Sequence, residues 1–156
     1  VPAVLFECLQ FPGPPPRRLL FRQVHEDAGA VVRCPPAFRD LLARIYDELF
    51  LIRELVPAPG VESLPAGRSV LGVELDRSRG RATLCPLLPG ADLAANIAAH
   101  VALLRREGLT QVQARCDLHH GWQATVAGLL GAGGFVPVGL EPGAGAGDIL
   151  LLEHHG

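Results

Sequence analysis

The chain has 156 residues, 49% of them hydrophobic and 19% charged, with a formal net charge of -2. That length and balance fit one globular domain with a sizeable core, and they exclude a nucleic-acid footprint, because the arginines are scattered among acids and the densest basic spot is only Arg17-Arg18. No apolar run approaches the roughly 20 residues that span a bilayer and no charged-then-apolar leader opens the chain, so a cytoplasmic protein with no membrane partner is expected.

Residues 4–10 (VLFECLQ) and 18–24 (RLLFRQV) read as strands around the stiff proline loop FPGPPP and predict a hairpin. AVVRC, Ala30 to Cys34, is a short apolar strand, after which Pro35-Pro36 opens a helix. Phe38, Leu41, Leu42, Ile45, Leu49, Ile52 and Leu55 recur at spacings of three and four. Arg39, Asp40, Arg44, Asp47, Glu48 and Arg53 fill the other face, so one long helix is predicted from Phe38 to Leu55. The proline- and glycine-rich segment 56–67 is a connection. Within a single domain of residues 1–156 it separates N-terminal strands and a long helix (1–55) from an α/β core (68–156).

That core begins with strand SVLGVELD, turn RSRG, strand RATLCPLL and turn PGAD. A helix follows from Asp92 to Glu107, striped by Leu93, Ile97, Val101 and Leu104 and closed by a left-handed Gly108. Strand VQARCDL, helix GWQATVAGLL and strands FVPVGLE and DILLLEH complete it. The predicted fold class is α+β (three-layer α/β): a mixed, twisted sheet with helices on both faces. Pro86 predicts that the CPLLPG strand parts from VQARCDL, leaving a wedge between parallel neighbours. The chain holds no methionine, which predicts a trimmed chain or a piece of a longer one.

The four cysteines, Cys8, Cys34, Cys85 and Cys116, form no C-x-x-C pair and are expected to be small buried hydrophobes. Neighbouring histidines, His119-His120 and His154-His155, alternate faces along a strand, so no metal site is predicted and the second pair is assigned no function.

The order strand, strand, helix, strand, helix, strand, strand from Ser69 to His154, with LRREGL closing the first helix and GGFVPVG around Gly134-Phe135, resembles the GNAT superfamily of acyl-CoA N-acyltransferases. In the N-terminal third one long helix stands where that family has two shorter ones. The resemblance implies a turn of the form Q/R-x-x-G-x-G/A whose backbone N–H groups hold the cofactor pyrophosphate at a helix start. The matching positions are Leu88, Ala91 and Leu93, of which only Ala91 fits. Leu87, Leu88, Gly90 and Ala91 are the backbone candidates if acetyl-CoA binds. Asp92 is expected to cap the helix with its own carboxylate and fill the donors a phosphate would use. Pro86 removes a donor from the strand with which the pantetheine arm pairs.

The family's acid tyrosine, five residues before the phenylalanine of GF, is Leu130 in this chain, and the only tyrosine, Tyr46, lies in the long helix. Asp117 and His120, in CDLHHGWQ, remain as catalytic candidates, since a histidine changes charge near neutrality. The competing structural reading is that Asp117 or His119 caps the helix and Trp122 fills the core. Three functions follow. The preferred one is a GNAT-like domain without a cofactor, acting as a binding or regulatory module of a larger protein. The others are an active acyl-CoA-dependent N-acetyltransferase with an atypical loop, and a homodimerisation unit built from the N-terminal strands and the Phe38–Leu55 helix.

Overall fold

The computed structural model describes residues 7–10, 18–21 and 26–156. Strand β1 (Glu7–Gln10) pairs antiparallel with β2 (Arg18–Phe21), as the hairpin pattern predicts. The loop 11–17 between them, residues 4–6 and 22–24 of the predicted strands, and the side chain of Cys8 lie outside the description.

The next unit is a strand-helix-strand. Strand β3 (Ala30–Cys34) leads through a single 3-10 turn at Pro36–Phe38 into α1 (Arg39–Glu48), which buries Leu42, Ile45 and Tyr46. The helix ends seven residues earlier than Leu55, at Glu48, and Arg53–Pro57 is instead β4, parallel to β3 from Ala30↔Arg53 to Cys34↔Pro57. The cause is a cap that normally belongs to glycine. Phe50 takes a left-handed conformation (φ 54°), and the Leu51 N–H donates back to the Tyr46 carbonyl at 2.9 Å, the six-to-one bond of a Schellman ending. Gly108 ends the second helix through the same bond, Leu109 N–H to the Leu104 carbonyl at 3.0 Å, with φ 82°. A phenylalanine in that conformation costs about 1–2 kcal/mol where glycine costs nothing. Beyond Phe50 the burial period changes to two: Leu51 is buried, Arg53 and Leu55 are half-buried, and Ile52 and Glu54 are exposed.

Five strands make the main sheet: β5 (Val70–Asp76), β6 (Arg81–Leu88), β7 (Gln111–Asp117), β8 (Phe135–Glu141) and β9 (Ile149–His154), in the spatial order β5-β6-β7-β9-β8. Of its neighbouring strands only β6 and β7 are parallel, and α2 (Leu93–Arg106) joins them; α3 (Gly121–Ala132) joins β7 to β8, which also run the same way with antiparallel β9 between them. The mixed α+β sheet agrees with the sequence. The placing of helices on both faces does not. The two crossovers step the same way across the sheet, and right-handed connections of that kind put both helices on one face. Burial agrees: Ala82, Leu84, Val112, Ala114, Leu150, Leu152 and Leu140 share a face through their registers and are sealed. They lie under Leu93, Ile97 and Leu104 of α2 and Ala124, Val126, Ala127 and Leu130 of α3, which touch each other. The alternate positions Thr83, Cys85, Gln113 and Arg115 are half-buried and mostly polar.

The strand-helix-strand unit joins this core from the helix side. Phe38 lies against Gly131 of α3, where a Cβ would stand 2.7 Å from its Cζ. Arg33 N–H donates to the Leu118 carbonyl (2.9 Å), and the Thr125 hydroxyl to the Pro59 carbonyl (2.7 Å). One cluster of buried side chains runs from Val32 to Leu152. Among the described residues no helix is long and apolar enough to cross a membrane.

Candidate functional site: a wedge and a closed turn

β6 and β7 pair only from Arg81↔Gln111 to Leu84↔Ala114. Past that point Gly72, Leu71 and Val70 of β5 hold Cys85, Pro86 and Leu88, while β9 holds Arg115, Cys116 and Asp117. A wedge therefore opens between the C-terminal halves of two parallel strands, at the position where Pro86 lacks an N–H.

The turn at the mouth of the wedge is folded in on itself. Ala91 N–H donates to the Gly67 carbonyl (3.1 Å) and Leu93 N–H to the Gly90 carbonyl (3.2 Å). Gly90 is buried against the 67–69 backbone, where a Cβ would stand 2.5 Å from the Arg68 carbonyl carbon and 2.7 Å from the Gly67 oxygen. Only glycine permits that approach. Asp92 does not cap its own helix as expected. Its side chain makes no bond to the α2 N-terminus and instead accepts the Ser69 N–H at 2.6 Å. The Ser69 backbone and hydroxyl, and then Arg68, hold this carboxyl below its ordinary value. Asn96 completes the strap, donating to the Ser69 carbonyl and hydroxyl at 3.1 and 2.9 Å. Of the four backbone candidates, then, Leu87 and Leu88 are exposed, Gly90 is packed under a strap, and the Ala91 donor is engaged.

On the other side of the wedge, Asp117 is buried and its carboxylate serves backbone: His119 N–H at 2.9 Å, Ala146 N–H at 2.8 Å and Gly147 N–H at 3.4 Å. Its own N–H donates to Gln123 Oε1 at 2.7 Å. One of its oxygens holds the turn into α3 and the other the glycine-rich loop between β8 and β9. His120 is exposed at the start of α3 without a side-chain cap bond, and its ring meets that of His119 edge-on at 5.3 Å. Trp122 packs on the core and Leu130, the position the resemblance gives to an acid, is buried aliphatic.

A cluster that sequence reading missed lies where the starts of β3 and β4 meet the start of β9. Arg53, placed by its spacing on a polar helix face, is 7% exposed and bridges two carboxylates. Its Nε donates to Asp148 Oδ2 at 2.7 Å, and its Nη1 to Asp27 Oδ1 and Oδ2 at 2.7 and 2.9 Å. Asp148 is 2% exposed and also accepts the Gly143 N–H at 2.9 Å. Burial alone would raise the Asp27 carboxyl; the Arg53 guanidinium and the N–H groups of Ile52 and Gly29 outweigh it and hold it below its usual value. The Arg53 guanidinium also stands 5.7 Å from the Tyr46 ring centre. The Tyr46 hydroxyl is buried without a hydrogen-bond partner, and burial together with the Asp148 charge pushes it above the usual phenol range. No local pattern announces this cluster, because its members come from three distant segments.

No group of three or more histidine, cysteine or carboxylate side chains that would hold a metal occurs among the described residues. Comparison of the chain with protein-family models, with curated proteins and with solved structures finds no match.

Proposed function

We propose that this chain is a GNAT-like domain that works without an acyl-CoA cofactor, as a binding or regulatory module of a larger protein. The wedge after Leu84 supports the GNAT-like part of that reading, since the superfamily seats its cofactor between two parting parallel strands. The observation that carries the rest is the closed turn: Ala91 donates to Gly67, Gly90 is pressed on the 67–69 backbone, and Asp92 adds a negative charge where a pyrophosphate would lie.

Coenzyme A titrated into the whole chain tests this. No change in melting temperature at millimolar ligand is expected. Micromolar affinity would stabilise the fold by about 4 kcal/mol under those conditions and overturn the reading. The wedge itself favours the second reading, an active acyltransferase. In that case His120→Ala lowers turnover directly, whereas Asp117→Asn acts through the loop that Asp117 holds.

A further inference from the structure

β5 is an edge of the five-stranded sheet, and among the described residues nothing pairs with its outer side. It runs seven residues without proline and leaves Val70, Val73 and Leu75 exposed by 42%, 36% and 50%. Proteins usually blunt such an edge with lysine, proline or a short strand. This chain contains no lysine at all.

We propose that β5 pairs antiparallel with β5 of a second copy of the chain, about a two-fold axis through Gly72, joining the two sheets into one. In that register Gly72 faces the partner's Gly72, Leu71 faces the partner's Val73, Val70 faces the partner's Glu74, and Arg68 faces the partner's Asp76. Arg68 is then opposite one carboxylate and diagonal to a second, the partner's Glu74, and the symmetry doubles both contacts. Glu74 is in no ion pair among the described residues; Arg68 acts on Asp92 from beyond ion-pair distance, and Asp76 stands 3.8 Å from Arg79 across an exposed pair. Moving the axis to Val73 sets Arg68 against the partner's Ser78, and moving it to Glu74 sets two glutamates face to face. Moving it to Leu71 sets Arg68 opposite the partner's Glu74 and diagonal to its Asp76, so charge admits the Leu71 and Gly72 registers alike, and packing at the axis decides for Gly72.

Apolar contacts agree with it. Leu87, 57% exposed, leans over Gly72, its Cδ1 3.2 Å from where a Cβ would stand. Two Leu87 side chains meet above the axis on that face, and the Leu71 and Val73 pairs meet on the other. The unpaired N–H and C=O groups of both edges find partners in the same step.

Sedimentation of the whole chain across the micromolar range tests the association, and cysteine cross-linking tests the register. A monomer–dimer equilibrium is expected. Arg68→Glu weakens it by about tenfold or more, with the circular dichroism spectrum unchanged, and Arg68→Glu with Asp76→Arg restores it. Gly72→Cys in a Cys85→Ala background gives a covalent dimer on mild oxidation, because identical residues on the axis lie within disulfide reach; Val73→Cys in that background gives much less. The Cys85 change is needed because Cys85 faces Gly72 across β5 and β6. If Arg68→Glu proves unfolded, the cross-link decides. A chain that stays monomeric overturns the proposal and leaves the edge to another protein or to another segment of the chain. A dimer that does not cross-link at residue 72 overturns it, in favour of another register if Arg68→Glu weakens the dimer and of another surface if it does not.

Discussion

Arg53 and Asp148 stand 95 positions apart in the chain and 2.7 Å apart in the fold. The pair ties the strand-helix-strand unit to the start of β9, and Asp27 on the other side of the guanidinium ties in the segment before β3. Three separate stretches thus share one buried cation. Removing the cation leaves two carboxylates in a desolvated site, a larger loss than the pair's own net worth. Arg53→Met is expected to destabilise the protein by about 3 kcal/mol, near the low end for a broken buried pair because Asp27 keeps some contact with solvent. Urea unfolding measures it. A loss within a few tenths of a kcal/mol would show that the cluster is solvated and structurally idle.

Acid should act on the same cluster. Asp27 has a lower pKa folded than unfolded, so the unfolded chain binds its proton first as the pH drops. Its contribution is therefore complete above about pH 4 and disappears as the pH falls through the folded value. Unfolding midpoints followed from neutral pH downward should fall on the acid side, and Asp27→Asn should make that fall shallower. An identical acid limb in the variant would remove Asp27 from the account.

The turn at Gly90 gives a prediction opposite to the one its sequence suggests. Were Asp92 a simple helix cap blocking a phosphate, Asp92→Gly would improve coenzyme A binding. With Asp92 holding Ser69 and Ala91 engaged by Gly67, the variant should melt lower and gain no affinity. Thermal melting and titration calorimetry separate the two effects. Gly90→Ala should be the more damaging change, by roughly 1–3 kcal/mol, since its methyl group meets backbone that cannot rotate away.

Thiol chemistry reports on the core. Burial pushes the Cys34 thiol up to about 11, against a smaller opposite effect of Arg39, and burial pushes Cys116 further. Both should resist iodoacetamide in the native protein at mildly alkaline pH and react once urea is added, as mass spectrometry of the labelled chain can show. Rapid native labelling of Cys116 would mean that the wedge opens through to the helix face.

How much of this is legible in the sequence depends on the range of the interactions involved. The strands and helices after Ser69 are local patterns, and Gly108 is a local signal, so they read correctly. Phe50 breaks the reading of α1 because it occupies a left-handed cap without being glycine, and the apolar spacing of Leu49, Ile52 and Leu55 runs past it unchanged. The wedge is legible from Pro86. Its closure is not: the Gly67 carbonyl that takes Ala91 lies far back in the chain, and Asp92 looks the same whether it serves its own helix or Ser69. The helices' sharing of one face depends on the direction of two crossovers, which no residue pattern records.

The place of β9 bears on how the protein is made. It lies between β7 and β8, although both precede it in the chain. During synthesis those two strands must wait, unjoined, until Ile149–His154 leaves the ribosome. Through that interval Cys116 and Leu140 lack Leu150, and Ala114 and Pro137 lack Leu152, their cross-strand neighbours in the finished sheet. Folding in step with translation can complete the strand-helix-strand unit and the β5-β6-β7 half, but the other half closes only in one late event, and a nascent chain stalled before residue 149 should be open to proteases and to chaperones that bind exposed apolar strands.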